Sequence, residues 1–316
     1  MTDRNTPRSL ATSVARGTAQ RPALRWYRPV LVMAIATFSV LSYARDNVAT
    51  KTAAIASANA LATEAGFKTL AKGGNAVDAA VAVATSLSVV QPEASGMGGG
   101  FLALIHNAAT GKNTFIDARE MAPKAVSSAD YVNKDGTPNR DTSVNGPLAA
   151  GIPGLPAGLA YMSAKYGKLP LTVSVAPAIR LAEDGFHPTG ALVRSIAHTR
   201  DVLQRYPASA AKFLPGGKPP VDGDLFYDRD QARTLKAFAE QGAKGFYSGP
   251  VAAEMVAAVK AAGGTWSMAD LASYKARERT PIELQYAGYK IITAPPPSSG
   301  GVAIAEMLNI LAGIDL

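Results

Sequence analysis

The sequence predicts a layered α+β fold. Three observations carry that expectation. Helical and strand-like stretches interleave along the chain. The first two strands are joined by a short turn and so form an antiparallel hairpin. The composition suits a large packed core: of 316 residues, 47% are hydrophobic and 18% charged, which is globular rather than disordered. No fixed-period repeat and no linker-like stretch breaks the chain.

Taken in order, residues 53–57 read as a short strand. Residues 61–72 have helical spacing of apolar positions and stop at Gly73-Gly74, a helix-stop signal. Asn75 then caps a second helix over residues 76–90, with Asp78 three positions on, at the positive end of the helix dipole. That helix is apolar nearly all round, the pattern of a helix buried in a core. Gln91-Pro92 closes it. Gly96-Met97-Gly98-Gly99-Gly100 leads into a strand over 101–106, Thr110-Gly111 turns the chain, and 114–118 returns as the second strand. Phe115 and Ile116 point to opposite faces and both are apolar, so this strand should be buried. Residues 126–153 read as loop. Helices follow over 156–166, over 173–184 with Gly185 as its stop, over 231–243 and over 250–262, the last with Pro250 in its first turn and Gly263-Gly264 after it. A hairpin turned at Ala287-Gly288, the segment "PPPSSGG" and a helix over 302–311 complete the reading.

Charge and composition exclude several functions. There are no cysteines, hence no thiolate nucleophile, thiolate metal site or disulfide framework. The three histidines, His106, His187 and His198, lack metal-ligand spacing. The net charge of +8 is mostly a property of the N-terminus: six arginines against Asp3 give residues 1–44 a net of +5 and leave +3 for the rest. A nucleic-acid surface therefore has little support. Arg21, Arg25 and Arg28 precede an apolar run, Val30 to Ala44, that ends in the small residues Ser42 and Ala44. Residues 1–44 accordingly read as a secretory signal peptide, or else as an N-terminal anchor. The run is short for a bilayer span, so cleavage and export to a periplasmic or extracellular location are expected.

Three constellations could carry chemistry. The glycine run, Gly96, Gly98, Gly99 and Gly100, allows close approach of backbone to a ligand or to another segment. It feeds a strand, the wrong context for a Walker loop or dinucleotide fingerprint, so phosphate or nucleotide binding there has little support against plain close packing of helix on sheet. In "PPPSSGG", Ser298 or Ser299 could cap the next helix, while Gly300 and Gly301 leave N–H groups open at its start. That is either a rigid connection or an anion-binding terminus. At the end of the second strand stand Arg119 and Glu120, either an exposed charge pair of little energetic value or a guanidinium placed to hold a carboxylate in two parallel hydrogen bonds. No G-x-S-x-G elbow and no H-E-x-x-H is present.

Five stretches, "AGFKTLAKGGNAVDAAVAVATSLSVVQPEASGMGGGF", "FIDAREMAP", "GIPGLPAGLAYMSAKYGKLPL", "GGTWSMADLASYKARERTPIE" and "PPPSSGG", together resemble the gamma-glutamyltransferase (glutathione hydrolase) family, in the family's order and from about residue 50 to the end. The resemblance implies an Ntn-hydrolase αββα sandwich, made as a precursor that cuts itself into a large and a small subunit. The threonine freed at the start of the small subunit is the nucleophile. It takes the γ-glutamyl group from glutathione and other γ-glutamyl compounds and passes it to water or to amino-acid or dipeptide acceptors. Arg119 falls on the arginine that binds the substrate α-carboxylate in this family, with Glu120 in support. No cofactor or metal is implied. Residues 45–316 then correspond to part of the large subunit. No threonine here sits in the nucleophile's context, so no catalytic residue is assigned and a complementary small subunit is expected. Without it the sandwich is incomplete, and open sheet edges and uncovered apolar faces should leave the chain unstable alone. A cephalosporin acylase-like amidohydrolase, or a non-catalytic chain that binds glutamate, glutathione or a partner subunit, are the competing expectations.

Overall fold

Asn59 starts the first helix. Its side chain accepts the Leu61 N–H at 2.9 Å, and the helix α1 (Ala60–Ala71) ends just before Gly73, whose φ of +90° only glycine adopts freely. The computed structural model describes residues 53–314 except Asp222, so the proposed leader at 1–44 lies outside the described residues. Residues 53–57 do not form the expected strand. A strand needs a neighbour to take its backbone hydrogen bonds. Here Ser57 Oγ instead donates to Asn59 O at 2.9 Å and bonds Thr63 Oγ1 at 2.7 Å, turning the chain into α1.

Helix α2 (Ala76–Val90) opens with a reciprocal cap. Asn75 accepts from the N–H groups of Val77 and Asp78, and the Asp78 carboxylate takes the Asn75 N–H at 2.8 Å. The hairpin is β1 (Phe101–Asn107) and β2 (Lys112–Ala118). The span read as loop contains a 3₁₀ turn, Ser128–Tyr131, and the short helix α3 (Arg140–Val144). Then come α4 (Leu155–Tyr166), α5 (Leu171–Asp184), α6 (Gly190–His198), α7 (Arg200–Gln204), α8 (Pro207–Phe213), α9 (Arg229–Gln241), α10 (Lys244–Tyr247), α11 (Gly249–Ala261) and α12 (Met268–Ser273). Strands β3 (Arg277–Arg279), β4 (Ile282–Tyr286) and β5 (Tyr289–Thr293) and the helix α13 (Ser299–Leu311) follow. The fold is α+β. The main core lies among the helices, around Val81 in α2, Val175 and Ala178 in α5 and Leu235 and Phe238 in α9, all fully buried. Each of the valine, leucine and phenylalanine side chains among these contributes about 1.5–3 kcal/mol.

The sheet has the order β1-β2-β3, antiparallel throughout, and β4-β5 is a separate hairpin. Its register decides the two faces. Phe101, Ala103, Ile105 and Ile116 pack with Val77 of α2 and with Tyr161, Met162 and Tyr166 of α4. Glu278 of β3 is on the same face and is bound by Lys165 Nζ at 2.7 Å and by the Tyr166 hydroxyl. The other face carries Leu102, Leu104, Phe115, Asp117, Arg277 and Arg279. Phe115 and Ile116 are both buried, as the sequence predicts, but Leu102 and Leu104 are 36% and 45% exposed. Helices thus cover one face of the sheet; on the opposite face the β1 side chains are open among the described residues, whereas Phe115 and Asp117 of β2 are buried. Helix α13 is similarly apolar and bare: Met307 is 55% and Ile310 68% exposed, and only Gly301 is buried.

The Glu278 anchor gives a pH prediction. The Lys165 ammonium, then the Tyr166 hydroxyl, hold its carboxyl down from 4.5 to about 2. A depressed carboxyl contributes stability that is full above its unfolded value and fades as pH falls toward its folded one. The thermal midpoint of wild type should therefore exceed that of Glu278→Gln at pH 7. The gap should close between about pH 4.5 and pH 2 and shrink in high salt, because Lys165 is exposed. Scanning calorimetry across that range tests it.

Candidate functional site

Strand β2 leaves the sheet at Ala118, and Arg119 is then held at both ends of its backbone. Its N–H donates to Asp117 Oδ1 at 3.1 Å, and its carbonyl accepts from Tyr274 Oη at 2.8 Å. Asp117 is fixed in turn by Arg279, whose Nε and Nη2 reach Asp117 Oδ2 at 2.8 and 2.7 Å. Tyr274 is buried and stacks on Tyr247, ring centroids 5.7 Å apart and planes within 4°. Tyr247 donates to Pro153 O at 2.6 Å. Burial, assisted by the nearby carboxylates of Asp117 and Glu120, pushes the Tyr274 hydroxyl up to about 12, so it remains a proton donor at neutral pH.

The segment that brings Tyr274 here is itself clamped. Ser267 and Asp270 form a capping box around α12, and Asp270 Oδ1 also accepts the Lys124 N–H at 3.1 Å, five residues beyond Arg119. The Ser267 hydroxyl, with the Lys124 N–H assisting, lowers the Asp270 pKa. Trp266 Nε1 donates to Ala150 O at 3.0 Å. One stretch, residues 266–274, therefore grips both loops that border Arg119.

The guanidinium of Arg119 is exposed, and among the described residues no carboxylate lies within ion-pair distance of it. It borders a cleft of about 320 Å³ with Glu120, Tyr274, Lys275, Arg277 and Pro297. Asp117 and Arg279 neutralise each other at its wall, which leaves Arg119, Lys275 and Arg277 against Glu120. The surplus is cationic, and an uncommitted guanidinium fits a carboxylate in two parallel hydrogen bonds.

Glu120 turns away from its neighbour. Its carboxylate lies over the glycine run: a Cβ on Gly99 would meet Oε1 at 3.5 Å and one on Gly100 would meet Cδ at 3.0 Å. Among the described residues it makes no ion pair with Arg119. It divides the Arg119 cleft from a second one of about 510 Å³, bordered by Gly96, Gly98, Gly99, Gly100 and Leu155. The glycines split by role. Gly100 is pressed onto Ala118 O, 2.5 Å from where its Cβ would be, and Gly99 O accepts the N–H groups of Gly154 and Leu155 at 2.9 Å. Gly98 has open space beside it and Gly96 only a backbone neighbour at ordinary contact distance, and both line the second cleft.

The helix start after the prolines differs from expectation. Ser298 occupies the cap position of α13 and Ser299 begins the helix, but the Ser298 side chain makes no capping hydrogen bond. The start is close-packed on the backbone instead: Gly301 sits against Ala294, its Cβ position 1.9 Å from Ala294 O. Pro297 reaches the Arg119 cleft, whereas Ser298, Ser299, Gly300 and Gly301 do not line it.

Asp117, Tyr274, Lys275 and Arg277 were not singled out from the sequence. The usable signal was the run "YKARER", a tyrosine followed by four charges just after a capping box. Nothing local says that Arg277–Arg279 pairs with β2.

Residues 62–316 match the family described as Gamma-glutamyltranspeptidase. A glutathione hydrolase proenzyme of Pseudomonas sp. (strain A14) is 40% identical over 282 residues, 89% of this chain and 49% of that protein. An acylase ACY 1 proenzyme of Pseudomonas sp. (strain SE83) is 40% identical over 262 residues, 81% of this chain and 47% of that protein. The crystal structure of Helicobacter pylori gamma-glutamyltranspeptidase superposes with a TM-score of 0.82 at 41% identity, over 84% of this chain and 76% of that one. The chain thus spans about half the length of the curated relatives it matches. Family match, sequence identity and fold agree, and the chain belongs to the gamma-glutamyltranspeptidase family.

Proposed function

We propose that this chain provides the carboxylate-binding wall of an enzyme that cleaves γ-glutamyl amides such as glutathione, with Arg119 holding the α-carboxylate of the γ-glutamyl group. The observation that carries this reading is the Arg119 guanidinium, uncommitted to any acid among the described residues and fixed through its backbone beside a cationic cleft. The described residues lining that cleft include no serine, threonine or cysteine. The nucleophile is therefore proposed to come from outside them, as the threonine of a complementary small subunit that forms an acyl-enzyme and passes the acyl group to water or an amino-acid acceptor. Export is also proposed, on the arginines and apolar run of residues 21–44.

The test is made on the protein expressed from its complete native locus, so that any partner chain encoded there is present. Arg119→Ala should raise KM for a γ-glutamyl anilide roughly 10- to 100-fold, the loss of one charge-assisted pair. Arg119→Lys should recover little, because a point charge cannot replace the planar fork. Unchanged constants in Arg119→Ala would remove the assignment. A second reading is favoured by the acylase relative, which is as similar as the glutathione hydrolase over this half. Turnover of glutaryl amides in preference to the γ-glutamyl anilide would select it.

A further inference from the structure

The Arg119 guanidinium is free in its cleft, yet the residue carrying it is not. Its backbone N–H is taken by Asp117 and its carbonyl by the Tyr274 hydroxyl. Tyr274 lies 155 positions further along the chain, on a segment that meets β2 only through tertiary packing. Its ring stacks nearly parallel on that of Tyr247, and the Tyr247 hydroxyl holds Pro153 O just ahead of α4. Gly154 closes the arrangement: a Cβ there would be 2.1 Å from Ala118 O and 2.3 Å from Tyr274 Oη. Two buried tyrosines thus brace the two loops that meet at Arg119. Each spends its hydroxyl on a loop carbonyl rather than on a side chain.

Arginine has several rotatable bonds, and two parallel hydrogen bonds to a carboxylate demand a defined approach. Fixing the peptide unit removes the backbone share of that freedom before the ligand arrives, and a preorganised donor holds its ligand more tightly than a mobile one. We propose that Tyr274, braced by Tyr247, is a positioning residue for the carboxylate-binding Arg119, acting through the hydrogen bond from its hydroxyl to the Arg119 carbonyl. This rests on the reading of Arg119 given above.

Tyr274→Phe removes the hydroxyl and keeps the stacked ring. In the protein expressed from its native locus it should raise KM for a γ-glutamyl anilide roughly 3- to 10-fold, the scale of one neutral hydrogen bond, with kcat nearly unchanged. The decisive comparison is a double-mutant cycle. In an Arg119→Ala background the same substitution should change KM by less than about twofold, because the group it positions is gone. If Tyr274→Phe leaves KM at the wild-type value while Arg119→Ala raises it, the positioning role is wrong and the Arg119 assignment stands. If Tyr274→Phe costs the same factor with and without Arg119, its role is only structural and the inference fails. If Arg119→Ala itself has no effect, or wild type turns over no γ-glutamyl anilide, the underlying reading fails and takes this inference with it.

Discussion

Asp78→Ala lowers the midpoint of thermal unfolding by roughly 4–6 °C, the counterpart of about 3 kcal/mol in a chain of this size. The carboxylate is fully buried and accepts three backbone N–H groups: Asn75 at 2.8 Å and Lys168 at 2.9 Å on Oδ2, and Leu169 at 3.3 Å on Oδ1. Two of these come from the link between α4 and α5, some 90 residues away. Alanine leaves all three donors facing a void too dry to satisfy them, and a buried donor without a partner costs about 1–3 kcal/mol. Thr189→Ala is the control: the exposed Thr189 hydroxyl accepts only the Leu192 N–H, at 3.3 Å, at the start of α6. It removes an ordinary helix cap and should cost about 1 kcal/mol. Urea or thermal unfolding of both variants measures the difference. Equal losses would mean that the long-range bonds of Asp78 carry no weight.

Gly154→Ala should cost about 3 kcal/mol, whereas Gly98→Ala should be neutral to within about 0.5 kcal/mol. The backbone of Gly154 has a φ of −112°, which any residue adopts, so glycine is needed there for space and not for conformation. Its missing Cβ would overlap Ala118 O and Tyr274 Oη, and the first of these is backbone that cannot rotate aside. The loop would have to lift from β2, weakening the bonds that Gly99 O accepts from Gly154 and Leu155 and disturbing the site around Arg119. Gly98 has nothing within 4 Å of its Cβ position. Thermal midpoints of the two variants should differ by roughly 4–6 °C, and similar midpoints would refute the close-packing account.

Local chemistry made most elements legible. The box at Asn75 and Asp78, the Gly73 stop, the hairpin around Gly111 and the turn at Ala287-Gly288 each depend on residues within a few positions of one another. The failures share a cause. Residues 53–57 have strand-like composition but, among the described residues, no strand beside them, and Ser298 has a capping residue's identity but makes no cap at a start where Gly301 packs on Ala294. In each case the deciding partner is a backbone group whose place the local pattern does not specify.

The site divides in the same way. The sequence alone placed Arg119 at the end of a buried strand and pointed to the family through motifs spread from about residue 50 to the end. Only the tertiary structure brought Tyr274 to the Arg119 carbonyl, Arg279 to Asp117, and Glu120 over the glycine run instead of onto its neighbour. It also separated glycines that look alike in the sequence into those pressed on backbone and those facing open space. The physical reason is range. Caps, turns and strand alternation are set by short stretches of chain, whereas a hydrogen bond across 155 residues exists only once the sheet register and the loop packing are fixed.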